Sequence, residues 1–155
     1  MAIEIERKFL LCNDLWRQAV DSKELIMQGY LSLTPEHTVR VRQTGEQAWL
    51  TVKGKNCGAT RSEYEYAIPI LDAQQMLEQL CEQPIIEKWR HRVLHAGHLW
   101  EIDEFSGINS GLIIAEIELD HENEQFANPD WLVKEVTSDP RYFNSALVAH
   151  PYTLW

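Results

Sequence analysis

Three Glu-x-Glu pairs with an apolar residue between them stand in this chain, at Glu4/Glu6, Glu63/Glu65 and Glu116/Glu118, together with basic-x-basic pairs at Arg40/Arg42 and Lys88/Arg90. On an extended strand successive side chains point to opposite faces, so each pair projects from one face. Lys8 extends the first pair to Glu4-x-Glu6-x-Lys8. Lys53 continues the pattern in Leu50-Thr51-Val52-Lys53, and Asp103 does so in Trp100-Glu101-Ile102-Asp103. Oxygen ligands with no His/Cys cluster beside them favour Mg²⁺ or Mn²⁺ over Zn²⁺. Guanidinium groups fork onto anionic oxygens, and ammonium groups act as point charges. If both sets share one surface, they suit an anionic ligand joined to the carboxylates by cations.

The elements that must carry these residues are strands. The intervening residues are mostly apolar: Ile5, Val41, Tyr64, Trp89 and Ile117. Alternation predicts strands over 2–11, 25–33, 37–44, 47–54, 61–70, 85–96, 98–106 and 111–121. Thr44-Gly45-Glu46 and Ala96-Gly97 read as hairpin turns. Asn13 or Asp14 is expected to cap a short helix running to Val20, and Asp72 a second one with Met76, Leu77 and Leu80 at helical spacing. The tail from Phe126 has mixed patterning, with Pro140 dividing a turn from a final helix over 142–149. The stretch 54–60, with two glycines and a lysine, is expected to be the most flexible.

At 155 residues the chain is expected to be a single domain, 1–155, with a substantial core. Its 45% hydrophobic and 25% charged residues place it with globular rather than disordered proteins. A net charge of -10 argues against general binding to nucleic acid or to an anionic membrane. No apolar run approaches the ~20 residues of a membrane span. Glu4 and Glu6 interrupt the N-terminus, so no signal peptide is expected. Cys12, Cys57 and Cys81 lack paired spacing, which disfavours a disulfide framework and suggests the cytoplasm. The oligomeric state is open, a homodimer included.

About eight antiparallel strands in a chain this short suggest a closed barrel or a sandwich. With the charges outward, the barrel would hold a dry apolar core and could be a simple binding scaffold. With the charges inward, it would be a polar tunnel needing water, cations and an anionic ligand, because buried charges must be paired or neutralised. Patterning alone leaves both open, since charge on one side of an antiparallel sheet is commonplace.

The motifs resemble, in order, those of the CYTH superfamily, the triphosphate tunnel metalloenzymes. After Glu4-x-Glu6-x-Lys8 come Gln28-Gly29-Tyr30-Leu31, Thr38-Val39-Arg40-Val41-Arg42, Leu50-Thr51-Val52-Lys53-Gly54 and Arg61-Ser62-Glu63-Tyr64-Glu65. Glu87-Lys88-Trp89-Arg90, Trp100-Glu101-Ile102-Asp103, Ala115-Glu116-Ile117-Glu118 and Lys134-Glu135-Val136-Thr137 follow. The resemblance spans nearly the whole chain. It implies an eight-stranded antiparallel barrel enclosing a charged tunnel, mainly β with a few helices. It also implies metal-dependent hydrolysis of inorganic triphosphate, with Mg²⁺ or Mn²⁺.

By the same resemblance, Lys8, Arg40, Arg42, Lys53, Lys88 and Arg90 would bind the phosphates, with Arg61 and Lys134 as weaker candidates. Glu4, Glu6 and Glu118 would hold the principal metal. Glu63, Glu65, Asp103 and Glu116 would serve a second metal or orient the attacking water, and Tyr30 would pair with Lys88. The alternatives within the family are thiamine triphosphate hydrolysis and class IV-type adenylyl cyclisation. Outside catalysis the alternative is a polyphosphate-binding module, against which the repeated acidic pairs argue. The remaining charged and aromatic residues have plainer expected roles. Glu63 and Glu65 could be structural partners of Arg40 and Arg42, Arg7 should face solvent, and Trp49, Trp89 and Trp100 should pack.

Overall fold

The computed structural model describes residues 2–155. Strand alternation produces nine strands among them: β1 (Ile3–Leu11), β2 (Val20–Ser32), β3 (His37–Thr44), β4 (Gln47–Gly54), β5 (Thr60–Ile68), β6 (Ile86–His95), β7 (His98–Phe105), β8 (Ile113–Glu118) and β9 (Leu132–Glu135). Two α-helices accompany them, α1 (Ile70–Gln79) and α2 (Ala146–Ala149). Eight strands close an antiparallel barrel in the ring order β1-β5-β4-β3-β2-β6-β7-β8. The seam is β1. Its residues 3–5 pair with β5, and residues 6–10 pair with β8 on the other edge. Beyond the short β5 contact, β9 takes up the vacated edge and pairs with Phe9, Leu10 and Leu11.

The closed eight-stranded barrel is the one expected, but several elements differ from their sequence expectation. β9 is additional, a four-residue strand in the tail that had shown only mixed patterning. β2 starts at Val20 rather than 25, because its pairing with β6 from Val20↔Val93 onward carries a segment whose polar residues show no alternation. The helix expected up to Val20 is a 3₁₀ turn, Leu15–Ala19, entered through an Asn13 side chain that accepts from the Leu15 amide at 2.9 Å. Pro69, not Asp72, stands at the N-cap of α1; Asp72 falls in the first turn, where a carboxylate suits the helix dipole. The final helix is cut short, to a 3₁₀ turn at Pro140–Tyr142 and the single turn of α2.

The turns fit their residues. Ala96 and Gly97 both have positive φ, 48° and 83°, as a two-residue type I′ hairpin requires. At Gly29 the reason for glycine is contact rather than φ. An added Cβ would lie 2.8 Å from Cys81 Cβ, where the chain leaving α1 crosses β2.

The apolar cores lie mainly outside the barrel wall. Trp100, Ile102, Ala115 and Ile117, on the outer faces of β7 and β8, are covered by Trp16 and Trp131. Val41 and Ala48 are covered by Ala73 and Leu77 of α1. A third cluster closes one end of the lumen. There Phe105 and Ile114 share the inward parity of Asp103 and Glu116, and meet Tyr142, Leu147 and Val148 from the C-terminal segment. The outer face is not uniformly packed: Trp100 is 0% exposed, whereas Trp89 is 38% exposed beneath the Lys23 ammonium, against the expectation that it packs. Arg7 does face outward, over Phe126 and paired with Glu135. No helix of the described residues is long and apolar enough to cross a membrane.

Trp100 stands edge-on to Phe9 and Trp131 at centroid distances of 5.6 and 5.5 Å. Trp100→Ala should therefore cost about 3–5 kcal/mol, the usual range for emptying an aromatic core site. Urea denaturation would read it; a loss below about 1 kcal/mol would mean the outer core does not hold the barrel.

Candidate active site

Because β-strand parity is fixed by the apolar outer face, the charged residues have nowhere to go but the lumen. Glu4, Glu6, Lys8, Tyr30, Arg40, Arg42 and Lys53 line one cavity there, as do Glu63, Glu65, Lys88, Arg90, Glu116 and Glu118. The outward-charge alternative, with a dry interior, does not describe this fold. In the ring, β1 stands across from β2, β8 from β3 and β5 from β6. The carboxylates of β1, β8 and β5 therefore face the basic side chains of β3 and β6 across the lumen.

The buried charges are largely cross-paired. Lys8 Nζ bridges Glu6 and Glu116, at 3.0 Å to each. Lys53 Nζ is 2.9 Å from Glu4 and 3.1 Å from Glu63, and Arg61 Nε is 3.3 Å from Glu4. Arg40 reaches Thr51 at 3.2 Å and Glu65 at 3.5 Å, while its Nε is buried without a partner. Arg42 is different. Its Nε and Nη2 both donate to Gln28 Oε1, at 3.0 and 2.9 Å, and among the described residues it forms no ion pair. So Glu65 does partner Arg40, Glu63 partners Lys53, and neither touches Arg42.

The titration of the site follows from this pairing. Burial alone would raise the Glu6 carboxyl, but the Lys8 and Lys53 ammoniums and a hydrogen bond with Glu116 together hold it down to about 2. Glu4 is likewise held low, with Lys53 overcoming burial. Glu118 has no such partner. Partial burial, then the carboxylates of Glu4, Glu6, Glu63 and Glu101, push it up to about 7. On the basic wall, burial and then the neighbouring Arg40 and Arg90 lower Arg42 to about 10. Burial lowers Lys88 to about 7, against the pull of Asp103 and with Arg90 and Arg42 adding repulsion.

Asp103 is the one expected metal-site residue that does not line the cavity. It is fully buried, and its two oxygens take Arg90 Nε and Nη2 at 2.8 and 2.9 Å and Lys88 Nζ at 2.7 Å. Both lone-pair sets are engaged, so it anchors two cations and is not placed as a metal ligand. The expected Tyr30–Lys88 pairing is also corrected. The Tyr30 hydroxyl accepts from Gln28 at 3.2 Å, whereas Lys88 Nζ donates to Asn144 Oδ1 at 2.8 Å. Lys134 is exposed on β9 and lies off the cavity; Arg61 lines it.

Several lining or supporting residues were missed from the sequence. Glu101 lines the cavity and pairs with Arg90 at 3.4 Å; the parity of Glu101 and Asp103 on one strand could have flagged it. Gln28, 0% exposed, could have been flagged by its shared parity with Tyr30. Thr137 and Asn144 come from the C-terminal tail, where no periodic signal points to them.

Among the described residues no three His, Cys, Asp or Glu side chains already converge on one point as metal ligands. The donor set nevertheless fits a hard cation. Glu118 is ringed by like charge with no cation of the protein to offset it, and Glu4 and Glu6 adjoin it on β1 through the Glu6↔Glu118 register pair.

A family model described as CYTH domain matches residues 2–152. An inorganic triphosphatase of Acetivibrio thermocellus is 49% identical over 152 residues, covering 98% of this chain and 97% of that protein. An inorganic triphosphatase of Nitrosomonas europaea is 38% identical over 151 residues, covering 93% of this chain and 95% of that protein. A crystal structure of an inorganic triphosphatase superposes with a TM-score of 0.65 at 35% identity, covering 96% of this chain and 95% of the other.

Proposed function

The chain belongs to the CYTH-domain family, and from that premise we infer that its cavity hydrolyses inorganic triphosphate to pyrophosphate and phosphate with a bound divalent cation. The observation that carries this reading is the division of the lumen. An acidic wall on β1, β8 and β5 faces a basic wall on β3 and β6. A linear polyanion spanning the two would have its charge neutralised along its length, which is what phosphoryl transfer chiefly asks of a protein.

Arg40, Arg42 and Arg90 bind phosphate oxygens as forks, and Lys8, Lys53 and Lys88 act as point charges. The ion-pair-free Arg42 is the guanidinium left over for substrate. Glu4, Glu6 and Glu118 would hold Mg²⁺ or Mn²⁺. When bound, that ion supplies Lewis-acid polarisation and charge neutralisation at phosphoryl oxygens. Glu116, fixed by Lys8, orients the attacking water, and Glu63 and Glu65 support a second cation or the water. Tyr30 and Lys88 sit toward the apolar plug and contact the phosphate at that end. A cytoplasmic location belongs to the same reading, supported by free thiols at Cys12, Cys57 and Cys81.

The direct test is product stoichiometry. Triphosphate incubated with the protein and Mg²⁺ should yield one phosphate and one pyrophosphate, and excess chelator should stop it. Three phosphates from the first turnover, or no change with chelator, would contradict the reading.

A pH dependence follows from Glu118. Its carboxyl is raised, so below about 7 it holds a proton that must leave before a cation can bind. Mg²⁺ affinity should weaken as pH falls below 7 and level off above it, and Glu118→Gln should flatten the curve. Calorimetric titration of Mg²⁺ across this range would read it. An affinity independent of pH between about 5.5 and 8 would remove Glu118 from the ligand set.

A further inference from the structure

The C-terminal segment does more than close the barrel. Between the turn at Pro140–Tyr142 and α2, Phe143, Asn144 and Ser145 line the cavity at its plugged end. Asn144 Oδ1 accepts from Lys88 Nζ at 2.8 Å and from Gln28 Nε2 at 3.1 Å. An ammonium has no acceptor, so the atom facing it must be the amide oxygen, and the orientation of the Asn144 amide is settled. Gln28 in turn receives both Arg42 bonds on its Oε1. The neutral Gln28 amide thus holds Arg42 without cancelling its charge, and the neutral Asn144 amide adds a second contact to Lys88, beside its Asp103 ion pair, without cancelling more. The remaining group is the Asn144 amide nitrogen, which has no hydrogen-bond partner among the described residues although the residue lines the cavity.

We propose that Asn144 is a substrate-binding and positioning residue: its Nδ2–H donates to an oxygen of the phosphate at the closed end, while its carbonyl fixes Lys88 and the Gln28–Arg42 pair against the same phosphate. The proposal rests on the triphosphate reading of the cavity. It gives the C-terminal tail, remote in sequence from every strand of the basic wall, a direct part in recognising the substrate.

Asn144→Asp separates this from a merely structural role. It keeps an oxygen for Lys88 but puts a negative oxygen where the amide donor faced the phosphate. The melting temperature should stay at or above that of the wild type. With Mg²⁺, kcat/KM for inorganic triphosphate should fall about 100-fold, the scale of a lost charge-assisted hydrogen bond together with new repulsion. Binding of inorganic triphosphate without metal, read by calorimetry, should weaken in parallel. Asn144→Ala, which lacks both functions, should also lower kcat, and it decides the matter if the Asp variant fails to fold. Variants that keep kcat/KM and triphosphate binding within about twofold would overturn the role of Asn144 alone. A wild type that binds triphosphate without hydrolysing it, with binding weakened by Asn144→Asp, would overturn the hydrolase reading and leave Asn144 standing. A wild type that neither binds nor hydrolyses triphosphate would overturn both.

Discussion

Glu6→Gln should lower kcat for triphosphate hydrolysis by about 1000-fold or more, the scale on which a charged centre at the reacting phosphate acts. The folded protein should remain. The Glu6 carboxyl lines the cavity, is held ionised down to about 2 by Lys8 and Lys53 against its burial, and pairs in register with Glu118. Gln retains the side-chain length and an oxygen that can accept from the Lys8 ammonium, 3.0 Å away. What it removes is the charge that a hard cation requires. Calorimetric Mg²⁺ titration should show weakened binding alongside the kinetic loss. Full activity in Glu6→Gln would mean that the acidic wall serves the fold and not the reaction.

Arg42→Ala should have the next largest effect, with kcat/KM for triphosphate down by about 1000-fold. Arg42 lines the cavity, is bonded only to the neutral Gln28, and is lowered to about 10 by burial and by Arg40 and Arg90. A cation kept among cations without a counter-charge destabilises the empty site. Its removal should therefore leave the melting temperature unchanged or slightly higher while activity collapses. The opposite result, a lower melting temperature with activity kept, would make Arg42 a structural partner of Gln28. Arg90 offers the contrast. Its ion pairs with Asp103 and Glu101 mean that Arg90→Ala must lose stability as well as activity, since it leaves the buried Asp103 carboxylate with Lys88 as its one paired cation.

The lumen was legible because period-two alternation is a local property. Glu4, Glu6 and Lys8 needed only their own strand to share a face, and the same holds for Arg40 with Arg42 and Lys88 with Arg90. Which way that face turned was not local, and it took the resemblance across the whole chain to favour the inside. Partners were less legible still. Lys88 was expected beside Tyr30 but meets Asp103 and Asn144, because the barrel stagger and the tail choose neighbours that no spacing encodes. Asp103 reads as a cavity carboxylate by parity, yet its depth lets Arg90 and Lys88 consume both oxygens. β9 escaped notice because it is four residues long and exists only where β5 leaves the edge of β1 free. The early start of β2 escaped for a similar reason, since pairing with β6 rather than alternation extends it to Val20.

The central claim, that the two facing walls are built for a bare polyphosphate anion, meets its most direct test in a phosphate-release panel. Initial rates would be measured on inorganic triphosphate, pyrophosphate, ATP and thiamine triphosphate, each with Mg²⁺ and with Mn²⁺. The lumen offers many basic side chains and its binding energy comes from phosphates, so an organic group adds little. Triphosphate should be the fastest substrate. Pyrophosphate should be poor because it cannot span from the acidic wall to the basic one. Faster turnover of ATP or thiamine triphosphate, or cyclic AMP as the main product from ATP, would contradict the account.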